Sequence, residues 1–284
     1  MRGLYFRNVD EGSCLKIRIS LVHYLNAAPL GWSFLYGPHR DRFEVIPASP
    51  ARCAEQLALG EVEIGVIPSI EYQRIPNLTI IPGIAIAAIN AVRSVIMVSH
   101  RGRPIRSVAL DTSSKTSVGL VKLLLESRMG LRPSYVEHAP DLPAMLRLCD
   151  AALLIGDAAL KVRPGEYEVL DLAQAWVDWQ QRPFVFALWA CRADAPLPED
   201  LGLTFLEARD WGLGARAEIV RDYARRLNLS EPFLFDYLLQ NVNYDMGSSH
   251  IEGLERFYHL AHTHGLIAEN HPLRFLPAFQ MNSR

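Results

Sequence analysis

A turn rich in hydroxyl side chains follows a short apolar segment near the middle of the chain. Residues 107–110 are typical of a strand and lead into Asp111-Thr112-Ser113-Ser114-Lys115-Thr116-Ser117, after which residues 117–129 have the apolar spacing of a helix. The first N–H groups of a helix are unpaired and the helix dipole is positive there, so this turn is suited to hold an anion. Serine and threonine are also ordinary helix caps. The four hydroxyl residues Ser113, Ser114, Thr116 and Ser117 favour ligand capture over capping alone.

A second candidate for chemistry is Asn26. It follows the apolar segment 16–22, in the sequence Tyr24-Leu25-Asn26-Ala27-Ala28-Pro29-Leu30. Open α/β sheets bind ligands at the carboxyl ends of their strands. The asparagine amide is both a donor and an acceptor, so Asn26 would present both to a ligand at that edge. Asparagine is also common in turns, and the residue alone leaves both roles open.

Short apolar segments alternate with helical ones as far as Pro198, and this alternation predicts an α/β fold with largely parallel sheets. The predicted strands are 16–22, 43–47, 63–67, 95–99, 107–110, 151–155 and 184–190. The predicted helices are 50–59, 117–129 and 142–149, followed by an almost wholly helical C-terminal part at 199–211, 216–227, 231–240 and 249–264.

One pattern occurs twice and indicates two lobes. Residues 50–72 and 141–161 each contain a short helix, an apolar strand and a small polar turn, Pro68-Ser69 in the first and Gly156-Asp157 in the second. Two lobes built alike would turn Ser69 and Asp157 toward one ligand cleft. The predicted units are a first lobe of residues 15–99 and 190–284, an inserted second lobe of residues 104–188, and an N-terminal extension 1–14. Two crossing segments, 99–104 and 184–193, would form the hinge.

Composition excludes several classes of function. The formal net charge is -2 without a basic stripe, which argues against nucleic acid, and an anionic ligand would need local donors. The longest apolar run, 80–92, is interrupted by proline, glycine and asparagine and is too short to span a membrane. No nucleotide-binding glycine motif occurs, the cysteines form no CxxC pair, and the histidines at 259, 262 and 264 suit a helix end better than a metal. We therefore expect no metal and no cofactor. The first 14 residues lack the apolar core of an export signal, which predicts a cytoplasmic protein.

Several segments, in this order and spacing, resemble one family. They are the Asn26 segment, Gly60–Tyr72, the hydroxyl turn, Leu154-Ile155-Gly156-Asp157 with Ala159-Leu160, and Asp171-Leu172 with Trp176, Trp179 and 183–189. From about residue 16 to about residue 267 the chain is similar to the chorismate dehydratases of the futalosine route of menaquinone biosynthesis. Residues 1–15 lie outside the resemblance.

The resemblance implies the two-lobed fold of the type II periplasmic binding proteins, with a central ligand cleft and a hinge of two crossing segments. It also implies a hydro-lyase that converts chorismate to 3-[(1-carboxyvinyl)oxy]benzoate and water. Asn26 would be the catalytic residue, orienting the substrate and hydrogen-bonding the leaving hydroxyl or a developing charge. The hydroxyl turn would hold one substrate carboxylate, and Ser69, Ser94 and Asp157 would meet the rest.

Three questions remain open at the level of sequence. The general base is either a substrate carboxylate or one of Glu71, Asp157 and His23. A sibling family on the same fold makes 1,4-dihydroxy-6-naphthoate with a catalytic histidine at the turn matching Gly156-Asp157. This chain has no histidine there, which favours the dehydratase. A cytoplasmic small-anion binding module is the alternative outside enzymes, since the fold serves binding equally well.

Overall fold

Two β-sheets form the centres of two lobes. The computed structural model describes residues 16–163 and 165–277. The strands are β1 (Ile17–Val22), β2 (Phe43–Ala48), β3 (Ile64–Pro68), β4 (Leu78–Ala88), β5 (Val95–Ser99), β6 (Ser107–Asp111), β7 (Ser134–His138), β8 (Ala151–Ile155), β9 (Glu168–Asp171), β10 (Phe184–Arg192) and β11 (Asn243–Met246).

Helices cover both sheets. They are α1 (Ala28–Tyr36), α2 (Pro50–Ala58), α3 (Lys115–Leu123), α4 (Leu142–Leu148), α5 (Gly156–Leu160), α6 (Leu172–Gln180), α7 (Leu201–Gly214), α8 (Arg216–Leu227), α9 (Glu231–Asp236) and α10 (Ser248–Thr263). Short 3-10 turns at Leu25–Ala27 and Ser69–Gln73 follow β1 and β3, and π-helical turns at Leu124–Arg128 and Tyr237–Asn241 extend α3 and α9.

The sheets are mixed, which corrects the expectation of largely parallel sheets. The first has the order β11-β4-β10-β3-β1-β2, and the second β7-β6-β8-β5-β9. β1 is parallel to β2 and β3, and β6 is parallel to β7 and β8. The antiparallel strands include β10 and β5, each of which enters its sheet from the other lobe. Such a strand starts at the edge where its parallel neighbours end, so it runs against them.

The predicted lobe boundaries are wrong at both crossovers. β5 pairs with β8 and β9 of the second sheet, and β10 pairs with β3 and β4 of the first. The chain therefore crosses between lobes at 89–94 and 181–183, and the glycine- and proline-containing segment 99–104 is a turn between β5 and β6. Each crossover carries a non-glycine residue in the left-handed region, Arg93 at φ 61° and Gln181 at φ 53°.

A close helix contact fixes the start of α1, which carries the Asn26 turn. A Cβ on Gly212 of α7 would lie 1.8 Å from the carbonyl oxygen of Pro29, so only glycine lets the two helices approach this closely. Phe34 of α1 packs with Phe205 of α7 and Trp189 of β10, all buried. The turn before α1 therefore rests on a rigid part of the first lobe.

Candidate functional site

A cavity lies between the lobes at the carboxyl ends of β1, β3 and β8. Residues of both lobes line it: Val22, Tyr24, Asn26, Pro50, Pro68, Ile86, Val95, Ser114, Ser117, Ile155, Gly156, Phe186 and Ala187. Its volume is about 40 Å³, far below the roughly 300–1,000 Å³ of pockets that enclose small molecules. The lining is apolar apart from Tyr24, Asn26, Ser114 and Ser117, and no charged side chain of the described residues belongs to it.

Asn26 is held in the cavity wall by its backbone. The 3-10 turn Leu25–Ala27 follows β1, and Pro29 in the first turn of α1 ends any extension of the strand. The carbonyl oxygen of Asn26 accepts a hydrogen bond of 2.9 Å from the hydroxyl of the buried Tyr244. Its side-chain Oδ1 is buried and has no hydrogen-bond partner. A buried acceptor left unpaired costs about 1–3 kcal/mol, so this oxygen is free to accept a hydrogen bond from a group that enters the cavity.

The hydroxyl turn divides into two pairs. Ser114 caps α3: its Oγ accepts from Ser117 N–H at 3.3 Å and donates to Ser117 Oγ at 2.8 Å, and both residues line the cavity. Ser113 donates to Asp111 Oδ1 at 2.5 Å, and Thr116 Oγ1 accepts the N–H of Ile70 at 3.1 Å. The predicted anion site is therefore reduced at the cavity to Ser114 and Ser117, because Ser113 and Thr116 are absent from the lining and bond to Asp111 and Ile70 instead.

Burial changes the acidity of the groups beside this turn. Burial raises the pKa of Asp111, although the hydroxyl and N–H of Ser113 oppose the rise. The second carboxyl oxygen of Asp111 is buried without a partner. Burial likewise raises the pKa of Tyr24, whose hydroxyl points to Ser113 Oγ at 3.4 Å. Tyr24 is therefore a neutral hydrogen-bonding group at neutral pH.

Three other predicted site residues lie outside the cavity lining. Ser69 is fully buried and donates to the carbonyl oxygen of Val185 at 2.7 Å, and the fully buried Ser94 accepts from the Tyr237 hydroxyl at 2.7 Å. Asp157 accepts the N–H of Leu25 at 2.9 Å, and burial raises its pKa despite this bond. In this conformation the Asp157 side chain joins the two lobes, and the Ser69 and Ser94 side chains bond to Val185 and Tyr237.

The candidate bases are also outside the lining. Glu71 pairs with Arg74 at 2.6 Å, and His23 Nδ1 lies 2.9 Å from the carbonyl oxygen of Ala48. No carboxylate or imidazole of the described residues lines the cavity.

Direct contacts between the lobes explain the small cavity. Leu25 N–H reaches Asp157, the N–H of Ala51 donates to the carbonyl oxygen of Ser113 at 3.2 Å, and Ile70 N–H reaches Thr116. Each bond joins a first-lobe amide to a second-lobe oxygen. The cleft is therefore closed.

Sequence reasoning missed the apolar walls of the cavity. Phe186, Ile86 and Ile155 line it from three different strands. Ile155 ends a predicted strand, and this position could have placed it at the cavity. Ile86 lies in β4, which was not predicted, and Phe186 was assigned to the hinge. In the part of the chain that the structure describes, no cluster of three metal-ligating side chains occurs, and no helix is long and apolar enough to cross a bilayer.

The sequence matches a protein family and a curated relative. The family model described as menaquinone biosynthesis covers residues 17–263. Chorismate dehydratase from Thermus thermophilus is 35% identical over 258 residues, which are 84% of this chain and 93% of that protein.

Solved structures with low identity share the fold. Protein AF1704 from Archaeoglobus fulgidus superposes with a TM-score of 0.73 at 20% identity, covering 90% of this chain and 100% of that one. The periplasmic aliphatic sulphonate binding protein SsuA from Escherichia coli superposes with a TM-score of 0.62 at 16% identity, covering 90% and 94%. These likenesses confirm the predicted periplasmic-binding-protein-like fold.

Proposed function

The chain belongs to the menaquinone biosynthesis family, and from that premise we propose that it is a chorismate dehydratase. The reaction removes one ring proton and the ring hydroxyl of chorismate, releasing water and leaving the aromatic 3-[(1-carboxyvinyl)oxy]benzoate. It is a carbon–oxygen lyase reaction in which aromatisation supplies the driving force. The observation that carries the proposal is the 35% identity to a chorismate dehydratase over 84% of the chain.

The cavity suits catalysis by uncharged hydrogen-bonding side chains. Asn26 is the proposed catalytic residue, since its unpaired Oδ1 can accept from the ring hydroxyl and its amide N–H can donate to a developing charge. Ser114 and Ser117, at the N-terminus of α3, are the proposed partners of one substrate carboxylate.

Removal of the ring proton is the remaining step. An amide is too weak a base to remove it, and no protein carboxylate or imidazole of the described residues lines the cavity. We therefore assign the base to a carboxylate of chorismate itself, among the candidates that the sequence left open. The carboxyl group formed in this step then returns the same proton to the departing ring hydroxyl, so that water leaves and the carboxylate is regenerated. Because the closed cavity of about 40 Å³ is too small for chorismate, the lobes must separate for the substrate to enter.

We place this activity in the cytoplasm. Cys53, Cys149 and Cys191 are free and buried, as expected for a chain that folds in a reducing compartment.

The test is turnover of chorismate by the purified protein, with product followed by chromatography and mass spectrometry. Asn26→Ala should lower kcat on the order of 100-fold or more, because a preorganised hydrogen bond to the reacting centre is lost. Asn270→Ala, at an exposed position, is the matched control and should equal the parent. A parent that leaves chorismate unchanged contradicts the proposal, and retention of chorismate without turnover would assign a binding module instead.

A further inference from the structure

The first amide of the Asn26 turn is capped from the opposite lobe. The 3-10 turn Leu25–Ala27 has Tyr24 at its N-cap position, and the Tyr24 side chain makes no capping hydrogen bond. The N–H of Leu25 instead donates to Asp157 Oδ1 at 2.9 Å, across 132 residues of chain and across the cleft. A carboxylate commonly caps the helix that follows it, but here it caps a turn of the other lobe.

The contact depends on lobe closure, while the other anchor of the same turn does not. Tyr244, which holds the carbonyl oxygen of Asn26, belongs to β11 of the first lobe, as does the turn itself. Asp157 belongs to α5 of the second lobe, and its neighbour Gly156 donates its N–H to the carbonyl oxygen of Ser94 at 2.7 Å. Opening the cleft would therefore leave the Tyr244 anchor in place and remove the Asp157 cap.

We propose that Asp157 is a positioning residue that orients Asn26 for dehydration only when the lobes are closed. The inference rests on the proposed function and adds a role for a residue outside the cavity lining. Closure pairs the Leu25 amide and fixes the turn from both sides, so the Asn26 amide is held at the reacting atoms. In the open state the Leu25 amide is uncapped and the turn is free to move, so substrate can bind before the Asn26 side chain is oriented.

The test compares Asp157→Ala with Asp157→Asn, which keeps an acceptor oxygen. Asp157→Ala should lower kcat about 10- to 100-fold with little change in KM, as for loss of one charge-assisted hydrogen bond. Asp157→Asn should recover most of that loss. Asp141→Ala is the matched control, because Asp141 caps α4 within the second lobe, accepting from Ala144 N–H at 3.0 Å. If Asp157→Ala does not fold, Asp157→Ser, with its shorter hydroxyl, replaces it.

A double mutant separates positioning from general stability. If Asp157 acts through Asn26, Asp157→Ala should change kcat less than about twofold in an Asn26→Ala background. Amide exchange of Leu25 in the product-saturated protein, in which the lobes are closed, should be at least about tenfold faster in Asp157→Ala and near the parental rate in Asp157→Asn.

Three results would overturn the inference: multiplicative effects in the double mutant, a raised KM with unchanged kcat, or unchanged exchange of Leu25. Failure of the proposed function is recognised separately, since it appears as an inactive parent before any variant is compared.

Discussion

Replacing Gly156 by alanine should disturb both the stability of the protein and its catalysis. Gly156 has φ +57°, and a Cβ there would lie 2.6 Å from Cδ2 of Tyr24 and 2.9 Å from its Cγ and Cε2. The left-handed backbone alone costs alanine about 1 kcal/mol. Carbon atoms do not approach this closely, so the Tyr24 ring must also move, which adds about 1–3 kcal/mol of overpacking. We expect Gly156→Ala to lose about 2–4 kcal/mol of unfolding free energy.

Gly130 offers a matched control for the backbone part of this cost. Its φ is +68° and nothing lies within 4 Å of a Cβ at this position, so Gly130→Ala should lose about 1 kcal/mol only. Tyr24 precedes Leu25, so displacement of the Tyr24 ring shifts the amide that Asp157 caps. We therefore expect kcat on chorismate to fall at least about tenfold in Gly156→Ala and not in Gly130→Ala. Urea unfolding and steady-state turnover measure the two effects. Equal stability and equal kcat in the two variants would refute this reasoning.

Two further perturbations test other parts of the structure. The double variant Ser114→Ala, Ser117→Ala should raise KM for chorismate about tenfold or more, because it removes the Ser117 hydroxyl that can donate to a carboxylate and the Ser114 hydroxyl that donates to Ser117, whereas unchanged kinetics would reduce the turn to a helix cap. Burial raises the pKa of Glu63, but hydrogen bonds from the Arg18 side chain and N–H, the latter at 2.8 Å, outweigh it and leave the pKa below its usual 4.5. This pair is fully stabilising above pH 4.5 and is lost as pH falls through the lower folded value, so Glu63→Gln should cost about 1 kcal/mol at pH 7 and progressively less as pH is lowered below 4.5 in thermal unfolding. A deficit that stays constant as pH is lowered below 4.5 would contradict the assignment.

The sequence was sufficient for the α/β class and most core strands, and insufficient for the direction of the strands and for the hinge. Apolar runs located the core strands because buried strands need continuous apolar residues, and each predicted strand is present. The hinge was placed at 99–104 because Gly102 and Pro104 are typical of a linker. The true crossover is decided by the sheet with which β5 pairs, and strand pairing is a non-local choice that composition does not encode. Four strands were not predicted: the edge strands β7, β9 and β11, and β4, which lies between β11 and β10.

The same limit applies to the serines. Ser69 and Ser114 both follow strands, and the sequence treats them alike. The structure directs Ser69 toward Val185 in the core and Ser114 toward the cavity. The direction of a side chain in a turn depends on the backbone angles and on what packs against it, so sequence narrows the candidates and the fold selects among them.

The uncharged cavity lining helps to explain how a binding-protein fold can catalyse an elimination. A site selected to retain a dianion would place arginine or lysine against its carboxylates, and the described lining contains neither. A cation would bind the ground state more tightly, and tight binding of the substrate does not raise kcat. It would also lower the pKa of the carboxylate that we assign as the base, and so weaken it as a proton acceptor. Hydroxyls and a helix N-terminus hold an anion while leaving more of its basicity. A neutral cavity of this kind therefore fits a substrate that brings its own base.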